Sequence, residues 1–176
     1  MTETTLPTRY KFGAPDADCQ YPVLLLDGQF IGHVFRWHRA WFAVLPGDLE
    51  DVRVSHGATG KDHAARYLCL EYDAGRIAPN QKAPEATAIQ KKHTGPVPLL
   101  HPRMDKPSNR TAALKAVSGL SDLQWTPLGG YPGADNPWLL RCDRCAWVGV
   151  KYWSHLRGRK GNPPSPFRHP GCTGRG

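Results

Sequence analysis

The spacing of apolar residues changes several times along this chain, and each change predicts an element or a boundary. Residues 1–20 are polar and broken by Pro and Gly, which predicts a flexible arm. From Tyr21 the chain turns apolar and β-rich. Tyr21-Pro-Val-Leu-Leu-Leu runs into Asp27-Gly28, a two-residue hairpin signal between apolar runs. Phe30, His33 or Val34, Phe35 and Trp37 follow, and a second turn near His38-Arg39 leads into Trp41–Val44. Two or three antiparallel strands are predicted over 21–56. Trp37, His38 and Trp41 could form an exposed aromatic face, but packing on a half-buried strand is the simpler account.

At Thr59 the period becomes helical. Ala64, Ala65, Leu68 and Tyr72 fall on one face, Thr59 offers an N-cap with Asp62 in the capping-box position, and Gly75 offers a stop. Residues 21–75 thus form a small β-β-β-α domain. Residues 76–108 hold six prolines and no periodicity, which predicts an extended linker. Asn109 is positioned to cap a short helix over 110–118 that Gly119 would end. Residues 125–137 are rich in turn signals. Residues 109–176 form a second module, and the fold class is α+β.

Composition narrows the reading. Gly (18) and Pro (17) make up about a fifth of the 176 residues, too many for a large α/β enzyme core. No apolar run approaches the roughly 18–20 residues of a membrane span. The opening Met-Thr-Glu-Thr-Thr lacks the basic and apolar regions of a signal peptide, so the cytoplasm is the expected compartment. The net charge of +8 is concentrated. Residues 138–176 hold eight Lys and Arg against the single acid Asp143, whereas residues 1–90 are slightly acidic. A polyanionic partner would meet the C-terminal part first.

The five cysteines, Cys19, Cys69, Cys142, Cys145 and Cys172, are an odd number, which argues against a closed disulfide framework. Cys142-Asp-Arg-Cys145 is followed after 23 residues by His169-Pro-Gly-Cys172. C-x2-C paired with H-x2-C offers three thiolates and one imidazole, a donor set suited to one structural Zn²⁺. Four protein ligands leave no open position for metal-assisted hydrolysis. His155 is the competing imidazole. With only four residues after Cys172, two knuckles on a β-hairpin in the manner of a zinc ribbon fit better than a knuckle leading into a helix.

Between the knuckles, Lys151, Arg157, Arg159, Lys160 and Arg168 could contact phosphates, and Trp153 or Tyr152 could stack on bases. Trp147 reads as core. The expected partner is nucleic acid, with DNA ahead of RNA. A zinc-scaffolded surface for a protein partner is the alternative from another class. His155, Asn162 and His169 also suggest a His-Asn-His metal-dependent nuclease, although that reading takes His169 from the knuckle and lacks a nearby carboxylate. No G-x-S-x-G context exists, and Gly57-Ala-Thr-Gly-Lys61 is too short for a phosphate loop. No catalytic residue is assigned.

Leu128, Tyr131, Gly133, Pro137-Trp138, Cys142, Cys145 and Cys172 together resemble a zinc-ribbon repeat of actinobacterial and phage-type proteins. That repeat accompanies DNA-binding and endonuclease-like chains, so the resemblance implies a zinc module near nucleic acid. Ala146 stands where the repeat has a knuckle glycine, His169 stands where it has a cysteine, and the insert between knuckles is longer. Asp27-Gly28, Ile31-Gly32, Trp41 and Ala64-Ala65 are similar to small β-β-β-α domains of phage and plasmid proteins.

Overall fold

The computed structural model describes residues 9–48, 50–82, 96–165 and 168–172. It is α+β, with two small antiparallel sheets and three α-helices among the described residues. The chain divides into two compact units: residues 1–15 with 20–86, and residues 16–19 with 87–176. No helix among the described residues is long and apolar enough to cross a membrane.

The first unit is a five-stranded meander, β1 (Tyr10–Phe12), β2 (Tyr21–Leu25), β3 (Phe30–Trp37), β4 (Ala40–Val44) and β5 (Val52–His56), followed by α1 (Gly60–Asp73). The sheet is wider than the two or three strands expected. β1 lies inside the predicted arm, where Tyr10 and Phe12 are short signals that only pairing with β2 makes legible. Residues 1–8 of that arm lie outside the described residues. The Asp27-Gly28 turn has three residues instead of two. The Leu25 amide donates to the Gln29 carbonyl at 2.8 Å, and Gly28 at φ +94° takes the left-handed position. His38 and Arg39, at φ 46° and 68°, make the second turn between Trp37 and Ala40, and both lie in the left-handed region.

Ala64, Ala65 and Leu68 of α1 are fully buried against Val23, Ile31, Val34 and Ala43 of the sheet, with Tyr72 partly buried beside them. Gly32 allows this approach, because a Cβ there would collide with the Val44 carbonyl and crowd Leu68. The expected cap is not built. Thr59 makes no side-chain bond to the helix, and the Asp62 carboxylate accepts from the Tyr10 hydroxyl at 2.9 Å. The stop at Gly75 is present as a Schellman motif. Gly75 N–H donates to Tyr72 O at 2.9 Å, Arg76 N–H to Glu71 O at 3.0 Å, and φ at Gly75 is +72°.

The predicted linker is shorter than 76–108. Ile77 is in the first unit's core, and Leu100 with His101 is buried in the second. Residues 83–95 lie outside the described residues. Past two 3-10 turns, Pro102–Met104 and Pro107–Asn109, the second unit comprises α2 (Arg110–Asp122), β6 (Trp125–Pro127), β7 (Trp138–Cys142), β8 (Val148–Lys151) and α3 (Trp153–Leu156). The strands pair in the order β6-β7-β8, so it is more than a pair of knuckles.

Asn109 does not cap α2. Its side-chain amide donates to the Met104 carbonyl at 2.8 Å. Nor does Gly119 end the helix, which continues to Asp122. The residue is glycine because the Trp153 ring occupies the space a Cβ would need. Ala113, Ala116 and Leu120 meet Trp125, Trp138, Leu140 and Trp153 in the core. Trp138 is 1% exposed and donates from Nε1 to the Gly129 carbonyl at 2.8 Å. Cys19 packs with Leu128 and Leu139, so Asp16–Cys19 belong to this unit.

Gly119→Ala should destabilise the second unit by about 1–3 kcal/mol through overpacking against Trp153, read as a lower denaturant midpoint. Arg39→Gly should stabilise the first unit by about 0.5–1 kcal/mol, since left-handed backbone costs an L-residue about 1–2 kcal/mol and glycine returns part as chain entropy. The same denaturation measurement checks it.

Candidate metal centre

β7 runs from a buried Trp138 to a fully buried Cys142, and β8 leaves at Val148. The first knuckle is therefore the turn of the β7–β8 hairpin. Cys142 N–H donates to Trp147 O and Ala146 N–H to Cys142 O, both at 2.8 Å. Ala146 sits at φ 60°, the left-handed conformation that glycine adopts without cost. The second knuckle comes from the segment after α3. Cys172 N–H bonds back to His169 O at 3.3 Å, and Gly171 at φ +72° makes the bend.

The two turns meet. One ligand atom from each of Cys142, Cys145, His169 and Cys172 lies within 4.8 Å of the other three, so the four residues could hold one metal ion. Tetrahedral bonds near 2.3 Å put sulfurs about 3.8 Å apart, so the group is near the size an ion requires. Cys145 Sγ is 3.1 Å from His169 Nε2. His169 Nδ1 lies 2.9 Å from the Pro170 carbonyl, so donation there leaves Nε2 as the lone-pair nitrogen facing the sulfurs. His155 is exposed and outside this group, which decides between the two candidate imidazoles for His169. His169 therefore stands with three cysteines instead of with His155 and Asn162, as the nuclease reading would require.

The surroundings hold the ligands in place. The Trp147 ring stacks on the His169 imidazole, with centroids 4.5 Å apart and planes 4° from parallel, and Trp125 meets its edge at 6.1 Å. Arg168 is the second anchor. It donates to the carbonyls of Leu123 and Gln124, each at 2.8 Å, and to Cys142 Sγ at 3.3 Å, with its guanidinium carbon 4.6 Å from the Trp125 ring. Burial alone would push the Cys142 thiol up. Donation from Arg168 and the Arg144 amide, with His169 and Cys145 adjacent, instead brings it down to about 6. Cys145 gains from the Trp147 amide but is raised by burial and by its cysteine neighbours. Cys19 and Cys69 are buried, and burial pushes both thiols up, as in ordinary core cysteines.

Among the six predicted nucleic-acid contacts the structure separates two groups. Trp153 is core, 7% exposed and packed on Gly119, so it has no open face for a base. Arg168 is occupied by two carbonyls and a thiol. Lys151 is half-buried, its Nζ 5.7 Å from the Trp125 ring and 5.5 Å from the Trp147 ring. These three were misread because a local sequence does not reveal which side of a strand or knuckle faces the core. Arg157 and Lys160 do face solvent, and Arg159 is partly exposed between them. Lys160 and Gly161, at φ 50° and 78°, form a tight turn closed by Asn162 N–H to Arg159 O at 2.9 Å. Arg159 also reaches Asp135 at 2.8 Å, a solvent-facing pair of small energetic weight.

No family model, curated protein or solved structure matches this chain.

Arg168→Gln should weaken metal affinity about 10–100-fold in chelator competition, the size of effect typical when an outer partner of a ligand is removed. Arg168→Lys should recover only part of it, since an ammonium cannot reproduce the planar fork across two carbonyls and a sulfur. Ala146→Gly should stabilise the metal-loaded protein by about 0.5–1 kcal/mol in denaturant titration, by relieving the left-handed alanine.

Proposed function

We propose that this chain is a zinc-stabilised, basic nucleic-acid-binding protein without catalytic activity of its own. Zn²⁺ suits the donor set, because three soft thiolates and one imidazole favour a tetrahedral ion with every position filled by protein. Bound there, zinc would join the hairpin to the terminal knuckle and supply binding energy of order 10 kcal/mol or more to a unit with a small core. Cys142, Cys145 and Cys172 as thiolates around a dication would carry one net negative charge, and Arg168 would balance it. The likeness to zinc-ribbon repeats points the same way.

The observation that carries the nucleic-acid reading is the basic turn. Arg157 and Lys160 are exposed and Arg159, paired with Asp135, is partly exposed on a tight loop in the same unit as the metal centre, in a stretch with eight Lys and Arg and one acid. Such a cluster serves phosphate contacts, and DNA is the polyanion we favour. A cytoplasmic setting accords with unpaired thiols.

Elemental analysis should find about one zinc per chain. If the three turn residues each neutralise one phosphate, log K against log salt should slope by about −2.7 for duplex DNA or about −2.1 for a single strand. Changing Arg157, Arg159 and Lys160 together to Ala should abolish most of that slope and leave zinc content unchanged. Binding indifferent to both salt and the triple change would overturn the proposal in favour of a protein partner. Cleavage of plasmid DNA with added Mg²⁺, abolished by His155→Ala, would overturn the non-catalytic part.

A further inference from the structure

β8 ends at Lys151, the chain turns at Tyr152, and α3 begins at Trp153. Along this corner the side chains divide. Trp153, Ser154 and Leu156 are buried, whereas His155 is exposed and Tyr152 half-exposed. A cleft of about 260 Å³ opens on this outer side, lined by Val150, Lys151, Tyr152, His155, Leu156 and Ser165. Its wall is braced by the backbone. His155 and Leu156 N–H both donate to Tyr152 O, at 3.1 and 3.2 Å, and Ser165 N–H donates to His155 O at 3.3 Å. The Tyr152 and His155 rings lie 5.3 Å apart at 45°. None of the four metal ligands lines the cleft, so the metal reading leaves it unexplained.

Its chemistry is mixed in a particular way. Val150 and Leu156 offer apolar surface, Tyr152 and His155 offer flat π-faces, and Ser165 offers a hydroxyl. A ligand that matches has a flat aromatic part, and the exposed Arg157 and Lys160 that follow Leu156 in the chain favour an anionic part joined to it. We propose that this cleft is a subsite for one unpaired nucleotide of a single-stranded nucleic acid, with the base against Tyr152 and His155 and its phosphate toward Ser165 and the basic turn. This rests on the nucleic-acid reading above and goes further, because it selects the strand state. A base inside a duplex is stacked on both faces and paired at its edge, so it cannot enter a cleft, whereas an unpaired base can. Arg157, Arg159 and Lys160 directly follow Leu156 in the chain, so a strand leaving the cleft meets the basic turn. The anchoring of α3 by buried Trp153 and Leu156 keeps the two rings in place before a ligand arrives, which lowers the ordering cost of binding.

The test uses the full zinc-loaded chain and end-labelled thymidine and uridine dodecanucleotides, a blunt DNA duplex of equal length, and thymidine 5′-monophosphate. Fluorescence anisotropy should show a single strand bound more tightly than the duplex, and the thymidine and uridine arms distinguish DNA from RNA as its source. Tyr152→Ala and His155→Ala should each weaken single-strand binding about tenfold, as expected when one stacking partner is removed, with duplex binding and zinc content unchanged. Tyr152→Phe should retain most of the affinity, which separates a stacking role from general damage. Equal affinity for strand and duplex, or single-strand binding that survives both alanine changes but falls with the Arg157, Arg159 and Lys160 triple, would overturn the cleft and leave the nucleic-acid reading standing. Saturation-transfer NMR supplies the converse. A monophosphate signal that disappears in Tyr152→Ala, with no oligonucleotide bound, would support the cleft and overturn the wider function; no binding of any probe would overturn both.

Discussion

The second unit is organised around a Coulombic constraint. Three cysteine sulfurs and an imidazole nitrogen converge within 4.8 Å, on two turns separated by 23 residues of chain. Thiolates brought so close repel one another, so the arrangement is favourable only with positive charge among or beside them. The chain supplies part of that charge through Arg168, which spans the carbonyls at the end of α2 and the sulfur at the end of β7. The helix, the hairpin and the terminal knuckle are thereby joined at one guanidinium. A metal ion would complete the balance and convert a repulsive cluster into the strongest link in the unit.

Aromatic packing extends this link into the core. Trp147 lies flat on His169, Trp125 meets the imidazole edge and also faces Arg168, and Trp125 sits in the cluster that includes Trp138 and Trp153. Trp153 in turn sets the size of residue 119. A small sheet with a short helix thus gains order by stacking large rings between the ligand site and α2. The same packing leaves Tyr152, His155 and the basic turn on the outer side of α3. The first unit relies instead on an ordinary division of faces, small residues of α1 lying close on a meander. Gly32 sets that closeness.

Much of this was legible in local patterns, because those patterns act over a few residues. Helical spacing at Ala64, Ala65 and Leu68 is decided by the helix period, and the stop at Gly75 by the freedom of one backbone angle. The His38-Arg39 turn was visible from its flanking apolar runs. The C-x2-C and H-x2-C spacings picked out the four residues that converge, since short spacings constrain where side chains can point whatever the surrounding fold. Less local features were misread for consistent reasons. Thr59 and Asn109 carry capping side chains, but neither makes a cap bond, Asn109 donating to the Met104 carbonyl and Tyr10 claiming Asp62. Gly119 resembles a helix stop and is a packing site.

By itself, the sequence determined the α+β character, the quartet of residues that could hold a metal ion and the concentration of positive charge after Trp138. These follow from periodicity, spacing and composition, which require no knowledge of distant neighbours. Tertiary structure alone decided which charges remain available. Arg168 and Arg157 are the same residue type eleven positions apart, yet one is bound to two carbonyls and a sulfur while the other faces water. Adjacent Tyr152 and Trp153 likewise part, one lining a cleft and the other filling the core. The physical reason is that a strand-to-helix corner sends successive side chains to opposite sides, and only the packed elements define which side is inside.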